Sequence, residues 1–230
     1  MNLWIYGDSF SVPNNKDSGV EKTWLEIVSN NLNLRVQNFS EMGISNDFIY
    51  HEIIRTNKEW CENDLVIVQL TAPWREWFFE DFPHLSNFSN CSWHKDLEDA
   101  QVAAVEEYSK YLVNDRKHLV QYHMIQTALK HFARNNIKML VLPGFHHVEE
   151  IPGTLSTICF NEFDSQDTAN KFYKYHKLDP RINHLSKENH KILGNRITNF
   201  FLKGELPNLI DGYEQNIISI DTYKEINNEY

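Results

Sequence analysis

Leu65-Val66-Ile67-Val68-Gln69-Leu70 is a near-continuous apolar run rich in β-branched residues. Such a run marks a strand buried on both faces, as in a parallel sheet covered on both sides. Upstream, Leu3 to Tyr6 is a shorter apolar run ended by Gly7, and Leu34 to Phe39 alternates as a second strand. Downstream, Ile137 to Leu142 repeats the buried-strand signature and stops at Pro143-Gly144. Ser156 to Phe160 is expected to be a fifth strand. Helical periodicity falls between these runs. It covers Lys22 to Asn31 (Trp24, Leu25, Val28), Ser45 to Thr56 (Ile49, Ile53, Ile54), and one long region from about Asp99 to Asn135. A final helix spans Ser186 to Phe201, with Ile192, Leu193, Ile197 and Phe201 on one face and Ser186 as its N-cap.

This alternation predicts an α/β fold, a three-layer α/β/α sandwich around a mostly parallel sheet. Ligands of such sheets bind beyond the C-terminal strand ends. Gly7-Asp8-Ser9, Thr71 to Arg75 and Pro143 to His147 all follow strand ends, so they are expected to share one rim.

A chain of 230 residues suits one α/β domain, here placed at 1–202 with an aromatic-rich insertion at about 72–98. Residues 203–230 read as a C-terminal extension, packed on the domain or partly flexible, with an apolar patch at Ile217, Ile218 and Ile220. The net charge of −10 argues against nucleic acid or an anionic membrane as partner, since both select basic surfaces. No stretch is long and apolar enough to cross a bilayer, and the first residues run into a strand instead of forming a signal peptide. Cys61, Cys91 and Cys159 are odd in number and widely spaced, which suits free thiols in a reducing compartment. Gly is too scarce for a dinucleotide fingerprint or a phosphate loop, and His146-His147 complete no metal spacing, so neither cofactor nor metal is expected.

Ser9 closes a Gly-containing turn after the first strand, where a hydroxyl projects at the rim. Asp8 and Ser9 also suit a plain turn, and from the tripeptide alone that reading prevails. His184 alters the balance. It lies on the loop entering the last helix, where a rigid scaffold aims an imidazole and the helix N-terminus favours its neutral, basic form. A serine hydroxyl needs such a base to become a nucleophile. His190, one turn into the helix, reads as structural, while Arg116 to His118 and His123 to His131 read as a solvated helix face.

Gly7-Asp8-Ser9-Phe10-Ser11 resembles the first block of the SGNH (GDSL) hydrolase family, and Asn38 to Asn46 around Gly43 resembles its second. The segment Asp179 to His190 resembles its last block, and the three occur in the family's order over about residues 3–200. Asn183-His184-Leu185-Ser186 with Thr71 to Arg75 also resembles divergent members encoded by tailed bacteriophages, which implies a cytoplasmic or virion-associated protein.

The resemblance implies a flavodoxin-like sheet and acyl transfer, with Ser9 as nucleophile and His184 as base. It further implies an oxyanion hole from the backbone of Ser9 and Gly43. Two departures stand out. Where the family carries an oxyanion-hole Asn after the third strand, this chain has Thr71 to Arg75, so Thr71, through its hydroxyl, or Arg75 is left for that role. Where the family places an Asp three residues before the His, Arg181 stands, and either Asp179 or a backbone carbonyl orients His184. Asp8, Asn46, Trp74, Arg75 and His146 are candidates for the substrate pocket. The implied substrate is a small O-acyl ester such as an acetylated carbohydrate. The competing reading is an inactive module of the same fold that binds a glycan or protein through the aromatic rim, Trp74, Trp77, Phe78, Phe79, Phe82, Phe88 and Trp93.

Overall fold

Strands β1 (Asn2–Tyr6), β2 (Arg35–Asn38), β3 (Leu65–Leu70) and β4 (Lys138–Pro143) form one all-parallel sheet in the order β2-β1-β3-β4. The computed structural model describes residues 1–12, 22–86, 91, 94–112, 114–133, 137–148, 150–159, 161–163, 185–214 and 216–218. By contact density the chain forms two units, Met1–Val12 with Leu34–Val148, and Pro13–Asn33 with Glu149–Tyr230.

The first unit holds the sheet. Every residue of β3 is buried, as its unbroken apolar run predicts. Trp4, Tyr6, Val66, Val68 and Leu70 project to one face, the alternate-residue spacing of a strand. They pack on Phe48, Ile49 and Ile53 of α2 (Asn46–Thr56) and on Tyr122, Ile125 and Leu129 of a later helix, α4 (Asp115–Ala133). Leu3, Ile5, Ile67, Leu140 and Leu142, of opposite parity, are also buried, so both faces of the sheet are covered. The α/β class with a flavodoxin-like strand order is therefore present, and the chain reverses direction across the sheet between β1 and β3.

The expected long helix is two helices, α3 (Asp99–Tyr111) and α4. The break is chemical. Asn114 Oδ1 accepts the backbone N–H groups of Arg116 and Lys117 at 2.9 and 3.3 Å, which starts a new helix. The insertion forms a satellite core of Leu85, Cys91, Leu97 and Val105, flanked by Phe78, Phe79 and Phe82.

In the second unit, α1 (Trp24–Leu32) begins with a Thr23–Glu26 capping box, and α5 (Lys187–Lys203) begins at Ser186 and ends at Gly204 with φ 78°. Gly194 lets these helices touch, since a Cβ there would lie 2.8 Å from the Ile27 side chain. His190 Nδ1 accepts the Trp24 N–H at 3.2 Å, a structural bond. Residues Leu155–Ile158 form a 3-10 turn, not the expected strand. Its Ser and Thr side chains satisfy the backbone locally, as Thr154 Oγ1 does for the Thr157 N–H. A small parallel sheet pairs β5 (Asn161–Phe163) with β6 (Asn216–Ile218), so the expected C-terminal apolar patch contributes a strand. Among the described residues no helix is long and apolar enough to cross a membrane.

Candidate active site

The three loops expected at one rim do meet, at the point where the strand order reverses. Asp8 follows β1 and Thr71 follows β3, and the Thr71 hydroxyl donates to Asp8 Oδ2 at 2.5 Å. Arg75 Nη1 reaches the same oxygen at 3.1 Å, the Thr71 hydroxyl at 2.9 Å and the Ile44 carbonyl at 3.4 Å. Its guanidinium also lies 5.7 Å from the ring centre of Phe145, beyond the end of β4, and that ring leans on Phe10 at 5.4 Å. Asp8 is fully buried and its Oδ1 accepts the Phe10 N–H at 3.1 Å. It is thus a scaffold carboxylate, with its charge met by Arg75.

Ser9 sits inside this frame. Its neighbours Asp8, Phe10 and Ser11 are buried, while Ser9 is only half-buried. Gln69, the polar residue of β3, holds the turn from below. Its Oε1 accepts the Asp8 N–H at 2.9 Å and the Ser11 hydroxyl at 3.2 Å. Gly7 makes room for that amide, since a Cβ there would stand 2.7 Å from Gln69 Oε1. Gly144 is likewise required, because its N–H donates to the Leu70 carbonyl at 2.8 Å and a Cβ would fall 2.3 Å from that oxygen. The glycine of the first block therefore serves packing under the serine turn.

Gly43 follows β2 with φ 78°, a conformation that favours glycine. Its carbonyl accepts the hydroxyl of buried Ser86, from the insertion. Beside it opens a hollow of about 540 Å³ lined by Val12, Ser40, Glu41, Met42, Gly43 and His84.

The remaining candidates fall in different places. Thr71 donates its N–H to Asn46 Oδ1 at 2.8 Å and its hydroxyl to Asp8, so both of its donors are engaged within the protein. Asn46 is buried, and its Nδ2 donates to the carbonyls of Thr71 and Ala72 at 3.2 and 3.4 Å. Trp74 is exposed, at 55%. His146 turns toward α4, edge-on to Tyr122 at 5.4 Å, and burial together with His123 and His147 lowers its pKa. Asp179 and His184 lie outside the described residues.

Sequence reasoning missed Gln69, Ser11 and Phe145, whose roles depend on register across strands. It also placed His118 on a solvated face. That histidine is buried, and its Nε2 lies 2.6 Å from Glu76 Oε1. Tyr108 donates to the other Glu76 oxygen at 2.5 Å, and Lys117 lies 3.5 Å from the first. Burial raises the Glu76 pKa, but the hydrogen bonds from Tyr108 and His118 outweigh it and hold the carboxyl below its ordinary range. The Glu76 N–H donates to the Ser86 carbonyl at 3.0 Å, so this cluster anchors the residue that holds Gly43.

No family model matches the sequence, and no curated protein does. The structure is similar to two solved structures. One, from Desulfitobacterium hafniense DCB-2, is assigned to the lipolytic G-D-S-L family, at 14% identity and TM-score 0.36 over 86% of this chain and 98% of that one. The other, a member of the lipolytic G-D-S-L family from Veillonella parvula DSM 2008, has 12% identity and TM-score 0.37 over 88% and 98%. Likenesses of this size carry no residue role or reaction over to this chain.

Proposed function

We propose that the protein is a serine-dependent hydrolase of small O-acyl esters, such as an acetylated carbohydrate. The observation that carries this reading is the Ser9 turn: a half-exposed serine at the C-terminal mouth of a parallel sheet, between neighbours that are buried and hydrogen-bonded. Pre-organisation of this kind is what a nucleophile on a rigid element needs. In the reaction, Ser9 Oγ bonds to the ester carbonyl carbon as its proton passes to His184. The N–H groups of Ser9 and Gly43 take the charge on the carbonyl oxygen. The ester C–O bond then breaks and the alcohol leaves with the proton from His184. Water, deprotonated in turn by His184, releases the acid and restores Ser9. Asp179 or a backbone carbonyl orients the imidazole.

A second reading, a non-catalytic binding module, is favoured by the Thr71 geometry. With both Thr71 donors engaged, Thr71 supplies no third oxyanion donor, and of the two residues left for that role only Arg75 remains, its Nη1 already turned to Asp8. Loss of one such donor typically costs about 10²–10³ in rate. Treating the pure protein with a fluorophosphonate separates the two. The hydrolase is modified stoichiometrically at Ser9 and cleaves p-nitrophenyl acetate, and Ser9→Ala abolishes both. A folded protein that takes no label and cleaves no ester is the binding module.

A further inference from the structure

We infer that the hollow beside Gly43 binds a neutral hydroxylated ring, of the pyranose class, through Glu41, Ser40 and His84. As the seat of the alcohol half of an ester substrate this rests on the hydrolase reading, whereas the binding itself does not.

Four observations lead there. The first is an unmet hydrogen-bonding group. Ser40 Oγ is buried and has no hydrogen-bond partner among the described residues, although it belongs to a residue lining the hollow. Leaving a buried hydroxyl unpaired costs about 1–3 kcal/mol, so such an atom needs a partner from outside the chain.

The second is that the loop is rigid before anything binds. The Phe39 N–H donates to the Ile5 carbonyl at 2.8 Å and the Glu41 N–H to the Gly7 carbonyl at 3.1 Å. Asn38 braces it from both ends, accepting the Ser40 N–H at 2.9 Å and donating to the Ser11 carbonyl at 2.8 Å. With Ser86 holding the Gly43 carbonyl, the walls need no ordering when a ligand arrives.

The third is chemical selectivity. Among the described residues the walls carry one carboxylate, one imidazole and one hydroxyl, and neither lysine nor arginine is among these. With a chain charge of −10, a phosphate or carboxylate ligand is repelled. No group of three metal-binding side chains exists among the described residues. A hydroxyl suits all three groups, because it donates to Glu41 and exchanges hydrogen bonds with Ser40 and His84. Val12 and exposed Met42 supply apolar contact for the C–H face of a ring.

The fourth is size and place. A hollow of about 540 Å³ falls in the range of small-ligand sites. Its walls include Gly43 and, in Val12, the residue just beyond the Ser9 turn.

The test is direct binding, measured by NMR titration on the Ser9→Ala protein with a panel of methyl glycosides (gluco, galacto, xylo and N-acetylglucosaminide). At least one binds, and Glu41→Gln or His84→Ala weakens it about tenfold, the loss expected of one hydrogen bond. Both residues are exposed, so both variants fold. Absence of binding by every glycoside overturns the inference, as does binding that neither substitution changes or that only Trp74→Ala removes. Cleavage of p-nitrophenyl acetate by the wild type is scored apart. A protein that binds glycosides but cleaves nothing defeats the hydrolase reading and keeps this one, and the reverse result does the opposite.

Discussion

Two loops on the same rim are finished in opposite ways. In the loop after β3, Thr71 and Arg75 direct their polar groups inward to Asp8, Asn46 and the Ile44 carbonyl. In the loop after β2, backbone bonds to Gly7 and Ile5 fix the chain, while Ser40 Oγ has no partner among the described residues and Glu41 is exposed. Both loops are polar, and composition alone does not tell them apart. Satisfaction does: groups that already hold one another are scaffold, and groups held in place but unpaired are available to a ligand.

The largest test of this contrast is Asp8→Ala. It removes the acceptor shared by Thr71, Arg75 and the Phe10 N–H, and strands a mostly buried guanidinium. Breaking one side of a buried pair costs about 3–5 kcal/mol, readable as a lower urea midpoint. Glu41→Ala, in the open loop, should change stability by no more than about 0.5 kcal/mol. Similar losses in the two variants would erase the distinction between the loops.

Glu76→Gln comes next, with an expected cost of about 1.5–3 kcal/mol at neutral pH from weakened bonds to Tyr108 and His118. The Glu76 pKa is lower folded than unfolded, so the unfolded chain binds more protons near its ordinary value of 4.5. Stability from this group is therefore complete above that value and lost as pH falls through the lowered folded value. The gap between wild type and Glu76→Gln should close on acidification, in denaturation curves taken across the acid range. Asp47 acts against this trend, since burial and the Glu76 charge raise its pKa and favour its protonated form in the fold.

Gly144→Ala is expected to cost about 1–3 kcal/mol. Its Cβ would meet the Leu70 carbonyl, a backbone atom that cannot turn away, and the ends of β3 and β4 would have to part.

How much of this was legible in the sequence depends on the range of the interaction. The buried β3, the Ser186 cap and the shared rim follow from local patterns, because strand burial and capping are set by adjacent residues. The helix break at Asn114 carried a local signal too, an Asn before Asp, but it was masked by apolar periodicity on both sides. His118 was out of reach. Its partner Glu76 lies 42 residues away, and an isolated histidine on a polar helix gives no sign of one. Phe145 and Gln69 were hidden for the same reason: their neighbours are chosen by the parallel register of β1, β3 and β4. Ser9 stood out through its motif, but the reason it is held firmly, an amide from the next strand, is tertiary.

The smallest effect sharpens the comparison most. Ser45 is buried at the junction of the two loops: it follows the Gly43 turn, and its hydroxyl accepts the Phe48 N–H at 3.3 Å as the N-cap of α2. Removing an N-cap costs about 1 kcal/mol. Here the loss should fall at the low end of the usual range, because Asn46, the first helical residue, is tied separately to the backbone of Thr71 and Ala72. Ser45→Ala should lower the melting temperature slightly and speed hydrogen exchange at the Phe48 amide. It should leave glycoside affinity unchanged, since the Gly43 carbonyl and the Glu41 N–H are anchored to Ser86 and Gly7, not to the helix. If affinity falls with the cap, the open loop takes its shape from α2, and the two loops are one device rather than two.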